Sequence, residues 1–346
     1  MPESHPARIS VVIPTCNREQ LALEAIESIV RNDYPDFEVL VVDQGPKDVF
    51  LKAIVNRFPD DQRIRYFHLD YASASAARNV GLDNSTGEIV MFLDDDAVAD
   101  PGCLQGYATA FSAIVPPPGL VAGRLLPLWG APKPSWYPES RQYMLGLYSP
   151  EGGLAPMPPL DLPVSANFAV LASVANSVAR FDERLGFSYS RPASMLAGED
   201  SVYGMNIRKA GYQMYHQPAA SAHHRIAPYK LRPWYFLRRN FWEGVTTLTV
   251  LYMTGSITDE GVKGAVKWHA KEMCRHVARL FINRSQRMLF ISPTEWMNAL
   301  AGCSHSLGII YASNQWKKHG TLPWDQGSRA TAAHDLAGNR ISGKAE

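Results

Sequence analysis

Short apolar runs alternate with longer amphipathic stretches between residues 9 and 94, and this alternation restricts the fold more than any other feature of the sequence. Each run is rich in Ile, Val, Leu or Phe, which predicts a buried β-strand. The stretches between them carry apolar residues at helical spacing, as in "REQLALEAIESIVRN". The four runs are "ISVVIP" (9–14), "FEVLVVD" (37–43), "IRYFHLD" (64–70) and "EIVMFLD" (88–94). This order predicts right-handed βαβ units in an α/β fold, with a mostly parallel sheet flanked by helices.

Polar residues follow three of these predicted strands. Thr15, Asp43 and Asp94 each lie at or just beyond a strand's carboxyl end. Ligands of such sheets bind beyond the carboxyl ends of the strands. We therefore expect these three side chains to share one rim of the sheet and to belong to a site.

Composition and targeting signals narrow the possible functions. The 346 residues contain 34 Lys and Arg against 33 Asp and Glu, which gives no overall charge for binding nucleic acid. The four cysteines form no CxxC pair, and the N-terminus lacks the apolar core of a signal peptide, so a cytoplasmic location is expected. The apolar stretch 241–255 is shorter than the roughly 20 residues that cross a bilayer, so no membrane-spanning helix is expected.

Three consecutive aspartates, Asp94, Asp95 and Asp96, end the fourth predicted strand. Adjacent carboxylates repel one another, and a divalent cation is the strongest partner that relieves this repulsion. On an extended chain Asp94 and Asp96 point to the same side and Asp95 to the other. Hard oxygen ligands of this kind suit Mg²⁺ or Mn²⁺ held together with nucleotide phosphates. The alternative is a solvated acidic turn that caps the helix near Pro101.

The rest of the chain is less regular. Prolines are dense from about 115 to 165, which predicts long loops over the sheet instead of a helix or a central strand. Regular structure is predicted to return in "PVSANFAVL" as a strand, in "EDSVYGMNIRKAG" as a helix and in "YQMYHQPAASAHH" as a strand that ends at two histidines. Beyond about 230 a mainly helical extension is expected, and residues 326–346 are expected to form a flexible tail.

Six segments resemble, in order and approximate spacing, the family 2 glycosyltransferases, which have the GT-A fold. They are "VVIPTCNRE", "VLVVDQG", "ARNVGLDNSTGEIVMFLDDDA", "SANFAVLAS", "FDERLG" and "AGEDSVYGMNIRKAGY". The resemblance covers roughly residues 8–225. It implies transfer of a sugar from a nucleoside diphosphate donor to an acceptor hydroxyl, with inversion at the anomeric carbon.

The resemblance also implies roles for residues in the first half of the chain. Asp43 matches the carboxylate that contacts the nucleotide base, and Thr15 and Arg18 lie in the first loop that lines the nucleotide. Arg78 matches an arginine that approaches the base or the phosphates. The alternative readings are a turn residue for Asp43 and a solvated helix face for Arg78. Gln44 departs from the Asp or Ser of many members, which leaves the choice of base open.

The metal site follows from the same resemblance. Asp94 and Asp96 match the outer positions of the DXD motif, with Asp96 as the direct metal ligand, and Asp95 is grouped with Asp94 among the donor-binding residues. His223 and His224 are candidates to complete the metal shell, as histidine does in several GT-A enzymes. The alternative is a structural pair of histidines.

The "AGED" segment carries the implied catalytic base. Asp200 matches the carboxylate that removes the proton of the acceptor hydroxyl, because an alcohol is a poor nucleophile. Glu199 beside it is expected to bind the acceptor, and Asn167 corresponds to a position near the donor sugar in the acceptor half. The alternative for Glu199 and Asp200 is an acidic helix start.

The C-terminal part contains a basic region. Twelve Lys or Arg and four Asp or Glu occur between residues 225 and 290, a local excess of +8. Positive charges recur every four residues at Lys263, Lys267, Lys271, Arg275 and Arg279. Such a helix suits an anionic lipid surface or a phosphate-linked acceptor, and a plain solvated face is the alternative. The segment "RPWYFLRRNFWEG" places aromatics beside arginines, as in an acceptor groove or an interfacial anchor.

Together these features predict an inverting glycosyltransferase that uses Mn²⁺ or Mg²⁺. The expected donor is a UDP- or GDP-sugar, and the acceptor is a carbohydrate, a lipid-linked sugar or a small molecule; no nucleic acid is expected. We expect a donor-binding half at 1–100, an acceptor-binding half at 101–230 and a helical region at 231–325, in the cytoplasm or at the inner face of the membrane. The alternatives are a nucleotidyltransferase, although "IPTCNREQ" lacks the glycines of a triphosphate loop, and a non-catalytic sugar-nucleotide-binding or carbohydrate-binding protein.

Overall fold

The structure is a computed structural model of the chain and describes residues 7–186, 194–282 and 292–319. The expected tail at 326–346 lies outside the described residues.

The N-terminal part has the predicted alternation of strands and helices. Four parallel strands lie in the order β3-β2-β1-β4. They are β1 Ile9–Thr15, β2 Phe37–Asp43, β3 Ile64–His68 and β4 Ile89–Leu93, and the helices between them are α1 Glu19–Val30, α2 Val49–Arg57 and α3 Ala74–Asn84. The prediction of an α/β fold built on a mostly parallel sheet is confirmed.

The sheet continues beyond β4 with strands from the second half of the chain, in the order β4-β8-β6-β9-β5, and β7 pairs with β9. β8 runs antiparallel to β4 and β6, whereas β6 runs parallel to β9. The elements are β5 Ala97–Ala99, α4 Cys103–Ala113, β6 Leu120–Trp129, β7 Ala155–Pro156, β8 Asn167–Leu171, α5 Ala172–Ser177, α6 Glu199–Lys209 and β9 Met214–Ile226.

Strand β6 contradicts the prediction that residues 115–165 form only loops. This strand lies inside the sheet, between β8 and β9. Its pairing with β9 shifts register between Gly123 and Arg124, and Pro127 lies beyond this irregularity. A Cβ on Gly123 would collide with the carbonyl oxygen of Ala220. β8 pairs only with Leu120–Ala122 of β6, so Pro127 lies beyond that pairing and is paired with β9 alone, a one-sided position where proline is tolerated.

Helices cover both faces of the sheet. Val11 and Ile13 of β1 pack in one core cluster with residues of α1, α2 and α4. Val12 points to the opposite face and packs in a second cluster with residues of α3, α5 and α6. Burial of both faces explains why the parallel strands are continuously apolar.

Three helices follow the sheet: α7 Pro233–Met253, α8 Asp259–Ile282 and α9 Pro293–His319. α7 and α9 cross closely at two glycines. A Cβ on Gly244 or Gly308 would collide with a carbonyl oxygen of the other helix. The basic stripe lies on α8, where Lys263, Lys267, Lys271 and Arg275 are exposed. Among the described residues no helix is both long and apolar enough to cross a membrane.

Glu38 connects the strands at the end of the sheet opposite the polar rim. Its carboxylate accepts hydrogen bonds from Ser10 Oγ (2.6 Å), Arg65 Nη1 (2.8 Å) and Thr86 N (2.8 Å). Burial alone raises the pKa of Glu38, but these hydrogen bonds outweigh it and lower the pKa from 4.5 to about 2. The ionised form therefore stabilises the fold above pH 4.5, and this contribution is lost as the pH falls towards about 2.

We expect Glu38→Gln to lower the free energy of unfolding by about 1–3 kcal/mol at neutral pH, because buried donors lose a charged acceptor. Urea unfolding should show a smaller difference from the natural protein near pH 3, because Glu38 of the unfolded chain is then protonated and the contribution of the ionised carboxylate is partly lost. The exposed Glu88→Gln is the matched control and should change stability by less than about 0.5 kcal/mol. An equal loss for Glu38→Gln at both pH values would contradict the assignment.

Candidate active site

A cleft of about 620 Å³ borders the carboxyl ends of β1 and β4. Its walls also include the N-terminal ends of α3 and α6 and the segment that leads into α7. Lining residues include Thr15, Arg18, Gln44, Ala74, Arg78, Asp94, Asp95, Asp96, Gly146, Glu199, His224, Tyr229, Lys230, Tyr235, Arg238 and Arg239. The rim predicted to carry the site therefore borders a cavity of the size that small-molecule ligands occupy.

The three aspartates form a turn, not an extended segment. The turn is closed by a hydrogen bond from Ala97 N to Asp94 O (3.0 Å). Arg18 Nη1 lies 3.0 Å from Asp95 Oδ1 and 3.4 Å from Asp96 Oδ2, whereas Asp94 contacts Arg78. The prediction that Asp94 and Asp96 share one side without Asp95 is wrong, because the alternation of an extended strand ends at Leu93.

Asp95 is held by the first loop. Thr15 Oγ1 donates a hydrogen bond to Asp95 Oδ2 (2.9 Å), and Arg18 binds the other oxygen. Burial raises the pKa of Asp95 to about 6, although Arg18 and Thr15 favour its ionised form. The middle aspartate thus fixes the loop after β1 against the acidic turn.

Asp96 faces His224. Asp96 Oδ1 lies 3.1 Å from His224 Nε2, and Lys230 Nζ lies 3.6 Å from Asp96 Oδ2. Burial alone raises the pKa of Asp96, but His224, Lys230 and Arg18 together hold it well below its usual range. The His224 ring rests against Gly146, which has a positive φ of 71°, and a Cβ at this position would lie 2.9 Å from the ring.

This pair fits a divalent cation. Neighbouring ligands in an octahedral shell with bonds of about 2.1 Å lie about 3 Å apart, which matches the Asp96–His224 separation. Among the described residues no group of three or more His, Cys, Asp or Glu is arranged to hold a metal. Remaining ligands would therefore come from water and from a nucleotide's phosphates, as is usual for Mg²⁺.

His223 lies on the other side of β9. Its Nε2 is 3.3 Å from Asp100 Oδ1, so the structure does not bring it to Asp96. In the pairing of β5 with β9, His224 is opposite Ala97 and His223 opposite Val98. Adjacent strand residues face opposite sides, which removes His223 from the candidate metal shell.

Arg78 connects the acidic turn to α6. Its guanidinium is 3% exposed and donates through Nη2 to Asp94 Oδ1 (2.9 Å) and through Nη1 to Glu199 Oε1 (3.0 Å). Glu199 Oε2 is buried and has no hydrogen-bond partner among the described residues. A buried acceptor that lacks a partner beside a cleft is a suitable contact for a ligand hydroxyl.

Asp200 follows Glu199 at the start of α6 and is not among the residues that line the cleft. Its Oδ1 accepts from Ser201 N (2.7 Å) and its Oδ2 from Ser165 N (3.2 Å). Burial raises the pKa values of both Asp200 and Glu199. Glu199 is buried and ion-paired, whereas Asp200 retains partial exposure and accepts from uncharged groups.

Besides His223 and Asp200, two more predicted site residues do not line the cleft. Asp43 accepts from Gly45 N (2.8 Å) and Tyr66 Oη (2.9 Å), while its neighbour Gln44 lines the cleft. Asn167 is 1% exposed, accepts from Tyr107 Oη (2.7 Å) and donates to the carbonyl oxygen of Ala220 (2.8 Å). Asn167 is therefore a buried residue that links neighbouring strands, and not the contact for a sugar acceptor that the sequence predicted.

Sequence reasoning missed the wall that precedes and begins α7. Tyr229, Lys230, Tyr235, Arg238 and Arg239 all line the cleft. The aromatic and arginine residues of the segment "RPWYFLRRNFWEG" signalled a binding role but not a place beside the acidic turn. Lys230 reaches Asp96 across 134 positions of sequence, a contact that local patterns do not encode.

The sheet order and the acidic turn at the edge of the cleft define an α/β protein of the GT-A class. Residues 10–115 match the family model described as glycosyl transferase family 2. This match covers about a third of the chain, which is similar to that family over these residues.

Proteins with known names are similar to parts of this chain. The chain is 38% identical over 114 residues to the GalNAc(5)-diNAcBac-PP-undecaprenol beta-1,3-glucosyltransferase of Campylobacter jejuni, covering 30% of this chain and 37% of that protein. It is 24% identical over 254 residues to the glucosyl-dolichyl phosphate glucuronosyltransferase of Haloferax volcanii, covering 72% and 80%. An uncharacterized glycosyltransferase of Rickettsia felis is 40% identical over 92 residues, which are 27% of this chain and only 15% of that protein.

A solved structure shares the fold. The mannosyltransferase PcManGT of Pyrobaculum calidifontis, in complex with GDP-Man and Mn²⁺, superimposes with a TM-score of 0.52 and 17% identity. The match covers 95% of this chain and 81% of that protein. At this identity the likeness concerns the fold alone.

Proposed function

We propose that this protein transfers a sugar from a nucleoside diphosphate donor to an acceptor hydroxyl, with inversion at the anomeric carbon and with Mn²⁺ or Mg²⁺. The observation that carries the proposal is the Asp96–His224 pair, 3.1 Å apart beside a cleft of about 620 Å³. The complex of PcManGT with GDP-Man and Mn²⁺ supports a sugar nucleotide and a divalent cation.

The donor would lie between the acidic turn and the first loop. Asp96 and His224 would hold the cation, whose positive charge stabilises the diphosphate as it leaves. Arg18 and Lys230, which contact Asp96 directly, are placed to exchange this contact for phosphate oxygens. Gln44 lines the same cleft and is placed to contact a nucleobase such as that of UDP or GDP.

The acceptor would approach from the side of α6. Glu199 Oε2 would accept a hydrogen bond from one of its hydroxyls. Asp200 would take the proton of the attacking hydroxyl as the new carbon–oxygen bond forms at the anomeric carbon. The bond from that carbon to the diphosphate oxygen breaks, and the nucleoside diphosphate leaves with its electron pair.

The names of two relatives support one class of acceptor. The Campylobacter and Haloferax proteins carry polyprenol-linked or dolichol-linked sugars in their names. We therefore propose a lipid-linked acceptor ahead of a free carbohydrate or a small molecule.

The proposed function is tested by incubating the protein with UDP-, GDP- and dTDP-sugars, with and without Mn²⁺, and measuring release of the nucleoside diphosphate. One donor should be consumed in a Mn²⁺-dependent reaction, and NMR of the product should show inversion. A non-catalytic binding protein would release nothing, and a nucleotidyltransferase would release pyrophosphate from a nucleoside triphosphate. Either of these outcomes, or retention at the anomeric carbon, would contradict the proposal.

A further inference from the structure

The segment between β9 and α7 presents aromatic and basic side chains to solvent. We name residues 228–234 the rim segment. Trp234 is 75% exposed and Tyr229 47% exposed, and Arg232 between them is exposed as well. Leu231 is buried in a cluster with Tyr137 and Ile226, so the segment is fixed to the domain from its inner side. A large tryptophan held outwards on a fixed segment points to a contact with a partner.

The rim segment lies at the mouth of the cleft. Tyr229 and Lys230 line the cleft, as do Tyr235 and Arg238 just after the segment. The rings of Tyr229 and Tyr235 contact each other with centroids 5.3 Å apart. Trp234 directly precedes Tyr235 in the first turn of α7. Whatever binds Trp234 therefore lies next to the entrance through which a ligand reaches Asp96.

Residues 225–242 contain five Lys or Arg and no Asp or Glu. Arg225, Lys230 and Arg239 are paired with Glu24, Asp96 and Glu243, whereas Arg232 is exposed. Exposed Trp and Tyr beside Arg and Lys are typical of protein surfaces at a membrane–water interface, where the rings enter the headgroup layer and the cations meet anionic lipid.

We infer that the rim segment docks on an anionic lipid bilayer and presents the cleft mouth to the headgroups. Trp234 and Tyr229 insert between headgroups, and Arg232 pairs with lipid phosphates. The inference goes beyond the proposed transfer and does not depend on it. It also differs from docking through the exposed basic stripe of α8, which contains a comparable pair, Lys267 and Trp268.

The test is co-sedimentation of the full chain with vesicles of phosphatidylcholine, with and without phosphatidylglycerol. The natural protein should sediment with the anionic vesicles. The double variant Arg232→Gln, Trp234→Ser should lower the partition coefficient at least about tenfold, because each interfacial cation and ring contributes separately. The matched variant Lys267→Gln, Trp268→Ser on α8 should stay within about twofold of the natural protein.

Two further measurements and a second variant complete the test. Melting temperatures identify any variant that fails to fold, and Arg232→Glu alone serves as an independent second variant. Donor hydrolysis without vesicles should be unchanged in the rim variants, so loss of lipid binding is distinguishable from failure of the cleft. The inference is overturned if the natural protein ignores anionic vesicles, if the rim variants bind as it does, or if the α8 variant alone loses binding.

Discussion

Replacing Asp200 by asparagine is expected to lower the rate of sugar transfer by about 10²- to 10⁴-fold, the range that a general base contributes. Asparagine keeps the size of the side chain and one acceptor oxygen, which can retain the hydrogen bond from Ser201 N. Its NH2 group cannot accept from Ser165 N, so the substitution removes the proton acceptor and one weaker hydrogen bond. Donor binding, measured by calorimetry, should therefore stay within a few fold of the natural protein while transfer is lost.

Glu199→Gln is the matched substitution at the neighbouring carboxylate. Glu199 lines the cleft and Asp200 follows it at the start of α6, so the two substitutions test which of the adjacent carboxylates acts as the base. We expect Glu199→Gln to raise the KM for the acceptor and to retain measurable kcat. Full transfer by Asp200→Asn, or loss of kcat in Glu199→Gln alone, would assign the base to Glu199 instead.

Arg78→Met is expected to lower the free energy of unfolding by about 3–5 kcal/mol, because removing one partner of a buried ion pair leaves charge without compensation. Arg78 contacts both Asp94 and Glu199 and is almost fully buried. Urea unfolding measures the loss. Adding Glu199→Gln should recover part of it, since the double variant no longer buries an unpaired carboxylate.

Arg180→Met is the matched control for Arg78→Met. Arg180 pairs with Asp83 at the surface, where both side chains are well exposed. Removing this pair should cost about 0–1 kcal/mol. A similar cost for both substitutions would mean that Arg78 does not hold the acidic turn to α6.

The sequence pattern predicted strands β1 to β4, the part of the sheet that carries the acidic turn. Continuous Ile and Val runs identify strands buried on both faces, and the residues that end them lie at one edge by topology. Strand β6 escaped prediction because Pro127 argues against a central strand, and local patterns do not show that β8 pairs only with Leu120–Ala122 of β6.

Side-chain partners in the site depend on contacts that sequence patterns do not contain. The histidine that meets Asp96 is set by the register of β5 on β9, which places His224 inwards and His223 outwards. Likewise Arg78 meets Glu199 across 121 positions of sequence. A turn sets the direction of the Asp95 side chain, and the alternation of residues in a strand does not reveal turn geometry.

Calorimetric titration of GDP and UDP with and without Mn²⁺ tests the central claim most directly, namely that Asp96 and His224 hold a cation for a nucleoside diphosphate. Mn²⁺ should raise the affinity for one nucleotide at least about tenfold, within the usual range of coupling between two ligands. Asp96→Asn and His224→Ala should abolish this increase, and His223→Ala should retain it. An affinity in the natural protein that does not depend on Mn²⁺, or an equal loss in His223→Ala, would contradict the account.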